Sequence, residues 1–384
     1  MLRTKMLHRN PLNAPWWRAL IASVLSFQLS WGLRFLPPRG IHPDENWTLL
    51  AIRQSYGELV SHILTNDNHP PLYYLFIRVW SSFAGDAIHS LRVLSYIFAL
   101  LTILLFTLFH SRSRPITFIA PLLLIASNPL FTYFSATVRP YALMVCLASA
   151  AILASMALRS ETSRQGFALK FLFYGSCLLL GLTHYYGLLY AMILLVWDFF
   201  ERRISFSRLP TIIVAALLLV WPFLQIFFGT VDKQIQTNDW VKVVPVLSTL
   251  NNFLMGLFPG VIVSRQLPYI TSLGLLLCLT PVLVAPKLKT RLFAWDRIRS
   301  FLSGDVGYLL TGLFLVFLFS LAADLSPPFT TPYYFLVGLP AIALLFGSWV
   351  RWLRQRLGLL PACFFTGTIV LTQLVLARQR LMAP

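Results

Sequence analysis

The stretch FLFYGSCLLLGLTHYYGLLYAMILLVW, residues 171–197, decides the fold. It lies between Lys170 and Asp198 and carries no charged residue if His184 is taken as neutral. Two readings fit it, one long tilted helix or two short membrane spans. Gly181 and Gly187 bracket a polar-aromatic break, Thr183-His184-Tyr185-Tyr186, which suits two spans. The charge on the flanking loops chooses between them, because cytoplasmic loops collect Lys and Arg. With two spans, every strongly basic short loop falls on one side. These are Arg112/Arg114, Arg159/Arg164/Lys170, Arg202/Arg203/Arg208, Lys287/Lys289/Arg291/Arg297/Arg299 and Arg351/Arg354/Arg356, joined there by Arg3, Lys5, Arg9 and Arg18. One long helix would put the largest basic loop outside. The two-span reading is adopted.

Composition agrees. The 384 residues are 57% apolar and only 11% charged, with a mean hydropathy of +0.72. A soluble domain carries roughly twice that charged fraction. At about 20 residues per crossing the apolar content allows roughly eleven spans, so the chain reads as an all-α, polytopic transmembrane helical bundle. The net charge of +18 belongs to the cytoplasmic loops and not to nucleic-acid binding. Cys146, Cys177, Cys278 and Cys363 lie in apolar runs without metal-ligand spacing, and no disulfide is expected. The first apolar run, after Arg18, has no small-residue cleavage site near its end and reads as a retained span.

The expected spans are Ala19–Phe35, Val93–Phe109, Ile116–Phe134, Tyr141–Leu158, Phe171–Leu182, Gly187–Phe200, Leu209–Gly229, Pro268–Ala285, Val306–Ala323, Tyr333–Val350 and Gly358–Ala377. They form one transmembrane domain over residues 1–384. Residues 1–230 make a core with a first outer loop at 36–91, and residues 231–384 hold a second outer loop and the C-terminal spans. The N-terminus is expected in the cytoplasm. The two long loops, and the acids Asp44, Glu45, Glu58, Asp67, Asp86, Asp232, Asp239 and Asp324, then face outward. Long loops are where function usually sits, so the working face is expected to be extracytoplasmic. In the first loop, Leu49, Ile52, Tyr56, Leu59/Val60 and Ile63 recur at helical steps between Trp47 and Ile63. Pro70-Pro71 opens a second apolar run to Phe83. Two short helices in the outer interface are expected there.

Three clusters on that face bear chemistry. Asp44-Glu45 follows Pro43 beyond the first span and reads either as solvated loop acids or as a general base for a hydroxyl. Asn68-His69-Pro70-Pro71-Leu72-Tyr73-Tyr74 reads as a helix start in an aromatic belt, or as an anion site at a helix N-terminus. Arg139-Pro140-Tyr141 is either a snorkelling anchor or a phosphate grip. His184-Tyr185-Tyr186 lies on the same face, and with Asp44, Glu45 and His69 it forms at most a weak metal pattern.

In order, these motifs resemble the GT-C superfamily of integral-membrane glycosyltransferases, in the group of protein O-mannosyltransferases and aminoarabinose-transferring lipid A enzymes (glycosyltransferase family 39-like). The matching pieces are Asp44-Glu45, Gln54/Ser55, His69 to Tyr74, Arg139-Pro140-Tyr141-Ala142-Leu143 and Thr183 to Gly187. They span Ile41 to Leu189; beyond that the likeness is architectural. The resemblance implies an inverting transfer of a sugar from a polyprenyl-phosphate carrier to a hydroxyl acceptor on a lipid, glycan or protein, at the outer face of a bacterial inner membrane. It implies Asp44 as catalytic base and a substrate-binding set of Glu45, His69, Tyr73, Arg139, Tyr141, His184 and Tyr185. A divalent metal is possible but not required. Relatives carry an Arg-Tyr pair late in the chain where this one reads Thr331-Pro332-Tyr333-Tyr334, which leaves Arg265 or Lys242 as candidates for a second phosphate-binding cation. A lone carboxylate suits this chemistry, because a phosphate leaves as a stabilised anion and needs no general acid. The competing reading is a polyprenyl-lipid flippase or small-molecule transporter. That class places ionisable groups at the midplane, whereas here nearly all charges sit at span ends or in loops.

Overall fold

A computed structural model describes residues 40–41, 43–67, 69–110, 115–160, 166–201, 208–228, 246–257, 304–324 and 330–382. The expected spans Ala19–Phe35 and Pro268–Ala285, most of the second outer loop, Cys278, Lys242 and Arg265 lie outside the described residues. The described chain is all-helical: α1 Pro43–Ile52, α2 Tyr56–Asn66, α3 Leu72–Ala84, α4 Ile88–His110, α5 Pro115–Ser127, α6 Pro129–Ser135, α7 Tyr141–Ser160, α8 Gly166–Gly181, α9 Tyr185–Glu201, α10 Leu209–Phe227, α11 Val246–Leu257, α12 Asp305–Ala323, a 3-10 segment Pro332–Gly338, α13 Leu339–Leu357 and α14 Leu359–Met382. Among these residues five helices are long and apolar enough to cross a membrane: Ile88–Phe109, Tyr141–Arg159, Leu209–Phe227, Asp305–Ala323 and Pro332–Gln355. Gly166–Gly181, Tyr185–Phe200 and Leu359–Leu371 are shorter apolar helices.

Helix α7 is the axis of the bundle. It packs on α4, α8, α13 and the 3-10 segment, and 83% of its most apolar stretch is buried. Ala142, Ala148, Ala151 and Ala154 are fully buried on it, and small residues let neighbouring backbones approach closely. Only 22% of the corresponding stretch of α10 is buried, so α10 is peripheral. Phe106, Phe131, Tyr141, Phe173, Tyr190, Phe335 and Phe346 fill the core between these helices. At the end of the bundle away from Asp44, Asp198 on α9 accepts from Tyr174 Oη on α8 at 2.8 Å and from Thr211 Oγ1 on α10 at 2.7 Å. One carboxylate thus joins three helices.

The stretch 171–197 is two helices. Helix α8 stops at Gly181 and α9 starts at Tyr185, and the two pack against each other. Thr183 closes the turn, its N–H donating to Leu180 O at 3.1 Å and its hydroxyl to Leu179 O at 2.7 Å. Contact requires glycine at 187, whereas at 181 the neighbour is a side chain that can shift. A Cβ at Gly187 would run into the Leu180 carbonyl, and one at Gly181 into the Leu218 side chain. Leu72 N–H donates to Leu182 O at 3.0 Å, which seats the start of α3 on this turn.

Two expectations are corrected. The run Trp47–Ile63 is not one helix but parts of α1 and α2, so the first outer loop carries three short helices instead of two. The break is a capping box: Ser55 Oγ accepts from Glu58 N–H, and Glu58 Oε2 accepts from Ser55 N–H at 2.9 Å. The span Ile116–Phe134 is likewise split into α5 and α6. Asn128 Oδ1 caps α6 by accepting from Phe131 N–H at 2.9 Å, and Pro129 follows it with no N–H of its own to continue α5.

The turn geometry yields a paired prediction. Gly187→Ala should lower stability by about 1–3 kcal/mol, because its methyl meets backbone that cannot rotate away. Gly175→Ala, on α8 with nothing within 4 Å, should be neutral or stabilising by up to about 1 kcal/mol. Thermal unfolding of both variants in detergent checks this.

Candidate active site

Four of the elements that meet at one end of the bundle begin with, or just after, a proline: α1 at Pro43, α3 after Pro71, α7 after Pro140 and the 3-10 segment at Pro332. Proline suits a helix start, and it places the polar residue beside it at the helix N-terminus. The starts of α1, α3, α7, α9 and the 3-10 segment come together at one end of the bundle. They bring with them Asp44, His69, Arg139, His184 and Tyr333. Arg139 is the hub. Its Nη1 donates to the Asp44 carbonyl at 3.4 Å, and its Nη2 lies 3.4 Å from His69 Nε2. The His69 and His184 rings are 5.2 Å apart between centroids, and His184 lies 5.5 Å from Tyr141 and 5.0 Å from Tyr334. Converging helix N-termini add partial positive charge to that of Arg139, an arrangement that favours an anion.

The three acids nearby differ in exposure. Asp44 is half-buried, whereas Glu45 is 1% and Asp67 3% exposed. Glu45 is held from two sides. Arg92 Nε and Nη2 donate to its two oxygens at 2.8 and 2.7 Å, and Val138 N–H donates to Oε1 at 2.9 Å. The neighbours 44–45 and 138–139 are therefore cross-tied, Arg139 to the Asp44 backbone and Val138 to the Glu45 side chain. Glu45, expected among the substrate-binding residues, ties the start of α1 to α4 and to Val138 through these bonds.

Asp67 has the richest set of donors. Oδ1 accepts from His69 Nδ1 at 2.8 Å and from His69 N–H at 3.0 Å; Oδ2 accepts from Tyr74 Oη at 2.6 Å and Trp47 Nε1 at 2.8 Å. Burial acts to raise its pKa, but the electrostatic pull of His69 and these hydrogen bonds outweigh burial and hold it below the usual carboxylate range. With Nδ1–H directed to Asp67, His69 presents Nε2 to Arg139. His184 has the opposite arrangement: its Nδ1 accepts from Tyr186 N–H at 3.1 Å, which leaves the proton on Nε2. Burial first, then the nearby His69 and Arg139, keep its pKa well below the ordinary histidine value, so it is neutral.

The tyrosines divide. Tyr141 is buried against Phe134, His184 and Tyr333, with ring centroids 4.5, 5.5 and 5.0 Å away. Tyr185 is half-buried at the start of α9. Tyr73 is fully buried and bonds Ser95 Oγ at 2.8 Å, which packs α3 on α4, and its hydroxyl lies within electrostatic reach of Arg139 and Glu45. Tyr333 and Tyr334, in the segment that lacks the arginine of the resembled family, are half-buried beside Tyr141 and His184. Sequence reading missed Arg92 and the role of Asp67. Arg92 lies five residues into α4, where an arginine at a span end passes for an anchor; its partner is 47 residues away in the chain. Among the described residues no group of three or more His, Cys, Asp or Glu is placed to hold a metal ion.

No family model and no curated protein sequence matches the chain. Solved structures do. The chain is similar to ArnT from Cupriavidus metallidurans in the apo state, with a TM-score of 0.56 and 15% identity. The likeness covers 87% of this chain and 59% of that one, so the protein spans well under two thirds of its length. A second similarity is to the Archaeoglobus fulgidus oligosaccharyltransferase tethered to an acceptor peptide, with a TM-score of 0.49, 12% identity, and coverage of 97% of this chain and 56% of that one. At this identity the likeness shows the fold, which is that of ArnT.

Two predictions follow from the geometry. Removing one partner of the buried Glu45–Arg92 pair, as in Glu45→Ala, should cost about 3–5 kcal/mol, because the guanidinium is left buried without its counter-charge. Replacing both by apolar residues should cost less than the sum of the single changes. Chemical unfolding of the two single variants and the double variant tests this. The Asp67 pKa is depressed in the folded state, so its stabilisation is complete above the unfolded value of about 3.9 and is lost as pH falls below it. Asp67→Asn should therefore be less stable at neutral pH and show a flatter acid limb in a melting series carried from pH 5 down to about pH 2.

Proposed function

We propose that this protein is an inverting glycosyltransferase that moves a sugar from a polyprenyl-phosphate carrier to a hydroxyl acceptor on the extracytoplasmic face of a bacterial inner membrane. The observation that carries the reading is the pairing of a partly exposed carboxylate, Asp44, with a buried guanidinium, Arg139, where several helix N-termini meet. A base and an anion grip are what this reaction needs. Asp44 takes the proton from the acceptor hydroxyl, and that oxygen attacks the anomeric carbon from the side opposite the phosphate. The bond from the anomeric carbon to the phosphate oxygen breaks, and its electron pair leaves with the polyprenyl phosphate. Arg139, with His69 beside it and the N-terminus of α7 behind it, stabilises the charge that develops there. His184, neutral with a proton on Nε2, donates to a hydroxyl or phosphate oxygen, and Tyr141 and Tyr185 line the approach. Glu45 and Tyr73 act by holding α1 and α3 in place.

The charge distribution supports the sidedness. Arg159 at the end of α7, Lys170 near the start of α8, Arg208 before α10, and Arg351 and Arg354 near the end of α13 all stand at helix ends opposite the cluster. Basic residues mark the cytoplasmic side, which leaves the cluster outside. The acceptor is a lipid, a glycan or a protein.

The test is transfer from a panel of labelled polyprenyl-phosphate sugars by the purified protein in liposomes, beside Asp44→Asn. The unsubstituted protein should release polyprenyl phosphate, and the variant should be slower by about two orders of magnitude or more at unchanged melting temperature. Equal turnover by both would overturn the assignment of Asp44. Movement of the donor across the bilayer without cleavage, in both proteins, would favour the flippase instead.

A further inference from the structure

Gln225 is the only strongly polar side chain in the otherwise apolar α10 beyond Thr211, and it is 1% exposed although α10 itself is peripheral. Its Nε2 donates twice, to Ile63 O at 3.1 Å and to Asp67 O at 2.8 Å. Those carbonyls belong to the last turn of α2 and to its C-terminal cap, Asp67. The end of a helix leaves several carbonyls short of intrahelical partners, and Ile63 O has only a long bond from the Asp67 N–H, at 3.4 Å, from its own helix end. One turn earlier on α10, Trp221 packs on Ala51, Leu59, Ile63 and Tyr74. The segment so held is the one that presents His69: Asp67 fixes its imidazole through Nδ1, and Nε2 then meets Arg139.

We infer that Gln225 is a positioning residue for the anion grip, holding the Asp67–His69 turn from α10 so that His69 stands beside Arg139. The inference rests on the glycosyltransferase reading for what the grip binds, but not for the tie itself. An amide with two N–H donors suits two carbonyls converging from one helix end. A purely apolar contact from α10 would take a buried donor away from each carbonyl and leave Ile63 O with only the 3.4 Å bond from the Asp67 N–H, which is costly. The sequence-level signal is a single glutamine in a lipid-facing apolar run, where polar side chains are retained for a partner.

The test compares the full-length protein with Gln225→Met, which keeps the length and removes the donors, and with Gln225→Glu. Hydrogen exchange of residues 64–71 is read together with binding of polyprenyl phosphate in nanodiscs. In Gln225→Met, exchange of 64–71 should accelerate by roughly tenfold while the α7 amides stay as in the unsubstituted protein, and polyprenyl-phosphate affinity should fall several-fold. In Gln225→Glu the ionised carboxylate faces two carbonyl oxygens, so protection of 64–71 should be lost at pH 8. It should partly return at pH 5, where a protonated carboxyl can donate to one of them. This pH profile decides the matter if the methionine variant does not fold. Protection of 64–71 equal to that of the unsubstituted protein in Gln225→Met, or in Gln225→Glu at pH 8, would overturn the inference. Loss of protection in the variants, with no polyprenyl-phosphate binding by the unsubstituted protein, would uphold the tie and contradict the reading it serves.

Discussion

The buried pair between Glu45 and Arg92 is the constraint on which the rest of the site depends. It fixes the first turn of α1 to α4, and through the Val138 N–H it also fixes the approach to α7. Two charges taken out of water must be held by good geometry and by further hydrogen bonds, and this carboxylate has both. Because Glu45 cannot move, the side chain next to it is delivered to a set place. Because Val138 cannot move, neither can Arg139. Asp44 and Arg139 are thus placed relative to each other by residues that stand directly beside them in the chain.

The remaining parts are pinned in the same way, each from a different helix. Leu72 N–H ties the start of α3 to the α8–α9 turn. Asp324, at the end of α12, accepts from Thr249 Oγ1 of α11 at 2.6 Å and from Thr330 N–H at 3.0 Å, and Asn252 of α11 donates to Thr330 O at 3.0 Å. Thr330 leads directly into Pro332 and the tyrosines of the 3-10 segment. Precision on loops normally suffers from mobility; here each loop residue sits within a few positions of a helix start whose backbone is anchored elsewhere. A large polar cluster is therefore held in an apolar bundle with few charges.

Much of this was legible in the sequence, for identifiable reasons. The two-helix reading of 171–197 came from the glycine-bracketed break and the basic loops, and the structure shows why glycine is needed at 187, which faces the Leu180 carbonyl. Asp44, His69, Arg139 and His184, which the structure brings together, drew notice because each stands at a break between apolar runs, where a polar residue is conspicuous. The errors were local. Ser55 and Glu58 spell a capping box, but the apolar periodicity running across them concealed it. Asn128-Pro129 splits an apolar run without interrupting its hydropathy. Arg92, Asp67 and Gln225 escaped because their meaning lies in partners 47, seven and 158 residues away, in Glu45, Tyr74 and the Asp67 carbonyl. Pattern along the chain does not carry contacts of that kind. The similarity to ArnT fixes the fold at 15% identity, and the chemistry has to be argued from the cluster itself.

The central claim is that Arg139, at the meeting of helix N-termini, binds the phosphate of a lipid carrier. The most direct measurement is equilibrium binding of polyprenyl phosphate to the protein in nanodiscs, for the unsubstituted chain, for Arg139→Gln and for Arg351→Gln, an exposed arginine near the far end of α13. The account predicts saturable binding that falls by at least roughly tenfold in Arg139→Gln, in line with the loss of a charge-assisted contact, and that is unchanged in Arg351→Gln. Equal affinity in all three proteins would contradict it.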